Sequence, residues 1–156
     1  MSTTAIELPS LDSFILVPKN LIEEFQSKGH TITPGVLSSD EVAAYRKIIA
    51  AAAEKYNTEK RKMSERDTYG KAFLQIMNLW RSDEWVKKFV LSKRFAKIAA
   101  SIMGVSNVRL YHDQALFKEP GGGPTPWHQD QFYWPIDTTN TVTMWMPMVD
   151  ISVEMG

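Results

Sequence analysis

The chain has 156 residues, with 18 Lys and Arg against 18 Asp and Glu, so it carries no net charge; 44% of its residues are hydrophobic. That length supports one domain with its own core, and the balanced charge gives no support for a nucleic-acid or anionic-membrane surface. There is no cysteine, which excludes disulfides, thiolate zinc sites, iron–sulfur clusters and cysteine nucleophiles.

The opening, MSTTAIELPSLDSF, lacks the basic and apolar regions of a secretory signal, and no apolar run approaches the roughly 20 residues of a spanning helix. A cytoplasmic location is the default expectation. The first 18 residues read as a loose or edge segment. Asn20 to Lys28 predicts a short helix, with Leu21, Ile22 and Phe25 on one face and Gly29 as its stop. Thr31 to Thr33 predicts a short strand before the Pro34-Gly35 turn. Ser38 to Tyr56 is the clearest helix: Ser38 and Glu41 have capping-box spacing, and Val42, Tyr45, Ile49 and Ala52 form an apolar stripe. Glu59 to Asp67, centred on KRKMSERD, reads as a solvated loop or helix face rather than a binding site. Phe73 to Trp80 predicts a strand or a buried turn. Ser82 and Ser92 are expected N-caps of two further helices, the second ending at Gly104.

The texture then changes. Asn107 to Lys118 partly alternates and predicts a strand, and EPGGGPTP, Glu119 to Pro126, predicts an irregular loop. Trp127 to Trp134 is aromatic and β-prone. After a turn at Asp137 to Asn140, Thr141 to Ile151 predicts a strand. Its Thr141, Thr143, Trp145 and Pro147 should share one face, with Val142, Met144, Met146 and Met148 on the other. Helices first and strands second imply an α+β fold with helices buttressing a sheet.

His128-Gln129-Asp130 carries the chemistry. Residues i and i+2 of a strand share a face, so His128 and Asp130 would present an imidazole nitrogen and a carboxylate oxygen side by side. These are two of the three ligands of a facial two-histidine, one-carboxylate iron site, which leaves positions open for a co-substrate and O2. A lone His-x-Asp triplet is common by chance and by itself reads as structural. Gln129, facing away, is expected to hold structure. Gln114 and Lys118 lie two strand periods apart and share a face, so Gln114 is a candidate to line the pocket. His112 and Asp113 are adjacent and point apart, so they cannot chelate one ion. Phe132, Tyr133 and Trp134 wall a substrate site or simply join the core, and His30, near a helix end, reads as a surface residue.

The segment LYHDQALFKEPGGGPTPWHQDQFYWP, its following turn and TVTMWMPMVDISVEMG together resemble the phytanoyl-CoA dioxygenase family over Val105 to Gly156. A strand ends in a lysine, a Pro/Gly loop follows, the next segment carries His-x-Asp, and a later strand bears a tryptophan and then a Glu-x-Gly turn, here Glu154-Met155-Gly156. The stretch PGVLSSDEV also resembles that family's N-terminal element. The resemblance implies helices packed on a double-stranded β-helix of jelly-roll or cupin type. It implies Fe(II) bound by His128 and Asp130, with 2-oxoglutarate and O2 as co-substrates. Lys118 matches the family lysine that contacts 2-oxoglutarate, a cation suited to a dicarboxylate, and Trp145 matches a tryptophan near the same pocket. Without the family, Lys118 reads equally as an exposed strand end and Trp145 as core. The carboxylate of Asp130 points to hydroxylation rather than halogenation of a small organic or acyl substrate, coupled to conversion of 2-oxoglutarate to succinate and CO2.

The family pattern continues with a distal histidine and an arginine, and no histidine follows His128 here. The expectation is therefore a single truncated domain over residues 1–156, helical to about 104 and opening a β-helix from about 105. Open strand edges would then be paired in a homo-oligomer or by a second chain. The alternative is a non-catalytic remnant that serves as a binding or dimerising module, or a metal- or small-molecule-binding module without turnover.

Overall fold

A computed structural model describes residues 7–155. Pro18 leads into α1 (Lys19–Lys28), and Gly29 ends it at φ 77°, its N–H returning to the Phe25 carbonyl. Helix α2 (Ser39–Tyr56) starts at a reciprocal cap: the Glu41 N–H donates to the Ser38 hydroxyl, and the Ser38 N–H donates to the Glu41 carboxylate at 2.8 Å. The charged run holds a 3-10 turn at Met63–Glu65. There follow α3 (Thr68–Ala72), β1 (Leu74–Met77), α4 (Leu79–Ser82), α5 (Glu84–Val90), α6 (Lys93–Met103) and β2 (Gln114–Phe117). The two strands pair antiparallel, Leu74 opposite Phe117 and Met77 opposite Gln114.

Three apolar clusters join these elements. Ala52, Ala53, Ile76, Leu79 and Val86 close α2 onto β1, α4 and α5, with Ala115 and Phe117 of β2 packed against them. Leu11, Tyr45, Phe89 and Phe95 form an aromatic cluster over which Met144, Met146 and Met148 lie. Val17, Ile98 and Ile102 pack α6 against Leu21, Ile22 and Phe25 of α1. Beneath the second cluster, the buried Arg94 guanidinium bonds both carboxylate oxygens of Glu41, at 2.8 and 2.9 Å, and also the Ser13 hydroxyl and the Val36 carbonyl. The Arg94 hydrogen bonds hold the Glu41 carboxyl below its ordinary value of 4.5 against the opposing effect of burial.

Several sequence expectations change. Residues 7–18 are not loose: Leu11 and Val17 are core, the Tyr45 hydroxyl donates to the Pro9 carbonyl at 2.7 Å, and the Arg94 N–H donates to the Leu11 carbonyl. The first six residues of that expected segment lie outside the described residues. Asp83, not Ser82, caps α5, because Ser82 is already the last residue of α4 and an N-cap needs non-helical backbone. Both the Trp85 and Val86 N–H groups donate to Asp83 Oδ1 at 3.0 Å. Ser92 and Gly104 behave as expected.

The strand readings were too generous. Among the described residues, only Gln114–Phe117 of the expected Asn107–Lys118 strand pairs, and residues 31–33, 127–134 and 141–151 form no ladder. Alternation and β propensity record which side chains fit a pleated face; a strand also needs a neighbour to accept its backbone bonds. Alternation nevertheless survives in the burial of residues 143–149, where Met144, Met146 and Met148 are covered and Thr143, Trp145 and Pro147 are open. Helices and one small antiparallel sheet make the fold mixed α+β. Among the described residues no helix is long and apolar enough to cross a membrane.

Candidate metal centre

Strand β2 delivers the chain to the Gly-rich loop, and α3 fixes where that loop goes. The Gly123 N–H donates to the Lys71 carbonyl at 3.0 Å. A Cβ on Gly122 would meet that same carbonyl at 2.8 Å and the Glu119 carbonyl at 3.0 Å, so glycine is what allows the two backbones to approach. The Arg66 guanidinium, almost wholly buried, pairs with the Glu119 carboxylate. This corrects the view of the charged run as uniformly solvated, since Arg66 is turned inward as a tether. Lys118 donates from Nζ to the Gly123 carbonyl at 2.7 Å, with its ammonium over the Phe73 ring. Gln114, which opens β2, and Lys118, just past its end, are both exposed in the alternating burial that strand periodicity predicts. Gly122→Ala should therefore cost about 1–3 kcal/mol through backbone overpacking, seen as a lower melting temperature. Gly123→Ala, whose Cβ meets nothing within 4 Å, should leave it close to the parent.

Beyond the loop, His128 and Asp130 come together although no strand carries them. Gln129 has extended backbone (φ −116°, ψ 126°) and Asp130 opens a 3-10 turn to Tyr133. One extended residue between them suffices to put both side chains on one side. His128 Nδ1 lies 2.8 Å from the Pro126 carbonyl. A carbonyl only accepts, so Nδ1 carries the proton and Nε2 is the nitrogen free to act as a ligand. Nε2 faces Asp130 Oδ1 at 3.4 Å, and each side chain is over a third exposed. The other carboxylate oxygen, Oδ2, accepts from the Thr143 hydroxyl at 2.7 Å.

The donor set fits a metal ion. With Nδ1 protonated, a neutral ring would point a lone pair at a carboxylate lone pair. A proton on Nε2 or a cation between the two relieves that. Two ligands about 2.1 Å from a divalent first-row ion and at right angles to one another sit about 3 Å apart, near the separation observed. Both also have the outer partners that metal ligands commonly have, a carbonyl behind the imidazole and a hydroxyl behind the carboxylate. Among the described residues, no group of three or more His, Cys, Asp or Glu side chains is placed to hold a metal.

The remaining candidates divide. Trp145 lies on the open face of its segment, with Thr143, and is 65% exposed, so it is not core. Gln129, Phe132 and Tyr133 are exposed as well. The Tyr133 ring stands edge-on to His128 with centroids 6.4 Å apart, and its hydroxyl meets that of Tyr69 on α3 at 2.6 Å, which raises the Tyr133 phenol above its ordinary value. Trp134 instead packs against Tyr111, tilted by 57°, and stands edge-on to His112. Asp113 accepts from the Trp80 N–H at the start of α4, and burial pushes its carboxyl up. His112 and Asp113 thus serve structure, and His30 is exposed, as expected. Sequence reasoning missed Thr143, although its place on the face of Trp145 was readable; nothing in the sequence signalled Tyr69.

The stretch that holds helices α2 to α6, the Gly-rich loop and the His-x-Asp pair falls within one family match. The model for phytanoyl-CoA dioxygenase (PhyH) matches residues 25–156, and the chain belongs to that family. A protein of Stutzerimonas stutzeri named "Probable alpha-ketoglutarate-dependent hypophosphite dioxygenase" is 24% identical over 143 residues, covering 85% of this chain and 48% of its own length. The chain thus spans about half the length of the curated relative it matches. No solved structure matches it significantly.

Proposed function

We propose that this chain supplies the metal-loading part of an Fe(II)/2-oxoglutarate-dependent dioxygenase that hydroxylates a small organic or acyl substrate on a double-stranded β-helix scaffold. The observation that carries the reading is His128 Nε2 facing Asp130 Oδ1 at 3.4 Å, each ligand braced from behind, in a chain of this family. When bound, Fe(II) with 2-oxoglutarate and O2 supplies the oxidising power, and the relative's name supports dependence on that co-substrate.

The protein's own groups bind and orient. The Pro126 carbonyl keeps the proton on Nδ1, so Nε2 is the ligand. The Lys118 ammonium has three donors and gives one to Gly123, which leaves donors for a carboxylate of 2-oxoglutarate. Gln114, exposed at the start of β2, can add a hydrogen bond, and Trp145 offers an apolar wall beside Thr143. A second histidine, by the facial-triad pattern, would complete the iron ligands.

The test is succinate release from 2-oxoglutarate with Fe(II) and O2. Production by the parent, lost in His128→Ala, supports the reading. No succinate from a chain that nonetheless binds Fe(II) would favour a non-catalytic binding module instead.

A further inference from the structure

Among the described residues the segment bearing the ligand pair has no ladder partner, yet three side-chain hydrogen bonds fasten it to the segment that follows and passes back beside it. Thr143 Oγ1 donates to Asp130 Oδ2 at 2.7 Å. Thr141 Oγ1 donates to Gln131 Oε1 at 2.7 Å, and Gln131 Nε2 donates to the Thr138 carbonyl at 2.9 Å. The two threonines look alike, but their partners differ: one holds an amide, the other the carboxylate that faces His128.

Asp130 is 40% exposed and Thr143 is open, so water could solvate Oδ2 in place of the hydroxyl. The bond therefore meets no burial requirement and contributes little to stability. What it changes is symmetry. A free carboxylate rotates and offers either oxygen; with Oδ2 engaged by Thr143, Oδ1 is the oxygen turned toward Nε2. The neighbouring odd-numbered side chain, Trp145, opens on the same side, and Met144 anchors the segment from behind.

We propose that Thr143 is the positioning residue of the metal carboxylate, its hydroxyl selecting Oδ1 of Asp130 as the ligand atom. This rests on reading His128 and Asp130 as the ligand pair. Removing an outer partner of this kind weakens metal binding about 10–100-fold.

The test is an anaerobic Fe(II) titration of the 156-residue chain, of Thr143→Val, which keeps the shape and removes the hydroxyl, of Thr143→Ser, which keeps the hydroxyl, and of Thr141→Val. Melting temperatures are recorded alongside. Thr143→Val should bind Fe(II) about tenfold or more weakly, while Thr143→Ser and Thr141→Val stay near the parent. In parallel Co(II) titrations, the visible spectrum should change in Thr143→Val and be restored in Thr143→Ser. Should valine disturb local packing, Thr143→Ala against Thr143→Ser isolates the hydroxyl. Unchanged Fe(II) affinity in both Thr143→Val and Thr143→Ala, or equal losses in Thr143→Val and Thr141→Val, would overturn the positioning role and leave the ligand pair standing. A parent chain that takes up no Fe(II) would overturn the ligand pair itself, and the role with it.

Discussion

Neither His128→Ala nor Asp130→Ala is expected to bind Fe(II) at concentrations that saturate the parent. Loss of a ligand atom should exceed the roughly 10–100-fold cost of losing an outer partner. The fold should survive both changes. Each side chain is more than a third exposed and belongs to none of the three apolar clusters, and such surface substitutions usually stay within about 0.5 kcal/mol. Circular dichroism melts beside the titrations separate the two effects. Parent-like affinity in both variants would remove the site assignment.

Breaking the Arg94–Glu41 pair should give the largest stability loss. The side chains are 7% and 14% exposed, so removing Glu41 strands a guanidinium where water cannot replace the carboxylate. Glu41→Ala is expected to cost about 3–5 kcal/mol, a fall of about 10 °C in melting temperature for a chain of this size, and it also removes half of the α2 cap. Replacing both partners, as Glu41→Leu with Arg94→Met, should cost less than Glu41→Ala alone. The same pair sets a pH dependence. The folded Glu41 carboxyl lies below its ordinary 4.5, so its contribution is complete above that value and is lost as pH falls through the depressed one. Urea midpoints at pH 6 and pH 3 should fall further apart for the parent than for the doubly replaced chain, and equal differences would refute the link.

What the sequence made legible was local chemistry. The Ser38/Glu41 box, the Gly29 and Gly104 stops and the apolar stripe of α2 each depend on residues a few positions apart, and each forms as read. Asp83 was missed by one position because two short helices meet there, which spacing alone does not show. The strands of the second half were overread because pairing is a property of two segments. The closeness of His128 and Asp130 did not depend on a strand: it needs only one extended residue between them, and Gln129 provides it. Hidden entirely were groups that reach the site from far along the chain. Arg66 holds Glu119 across 53 residues, and Tyr69 reaches Tyr133 across 64; no periodicity connects such positions.

The methionines under the returning segment have a mechanical meaning. Met144, Met146 and Met148 rest on Tyr45, Phe89 and Phe95 while Thr143 and Trp145 look outward. A thioether chain is unbranched and repacks cheaply, whereas valine or isoleucine at the same positions would lock into one well. The helical layer therefore acts as a compliant bearing rather than a rigid mould. It holds the segment against the core without locking it, and under the proposed metal reading the final setting of the Asp130 carboxylate would fall to the Thr143 hydroxyl.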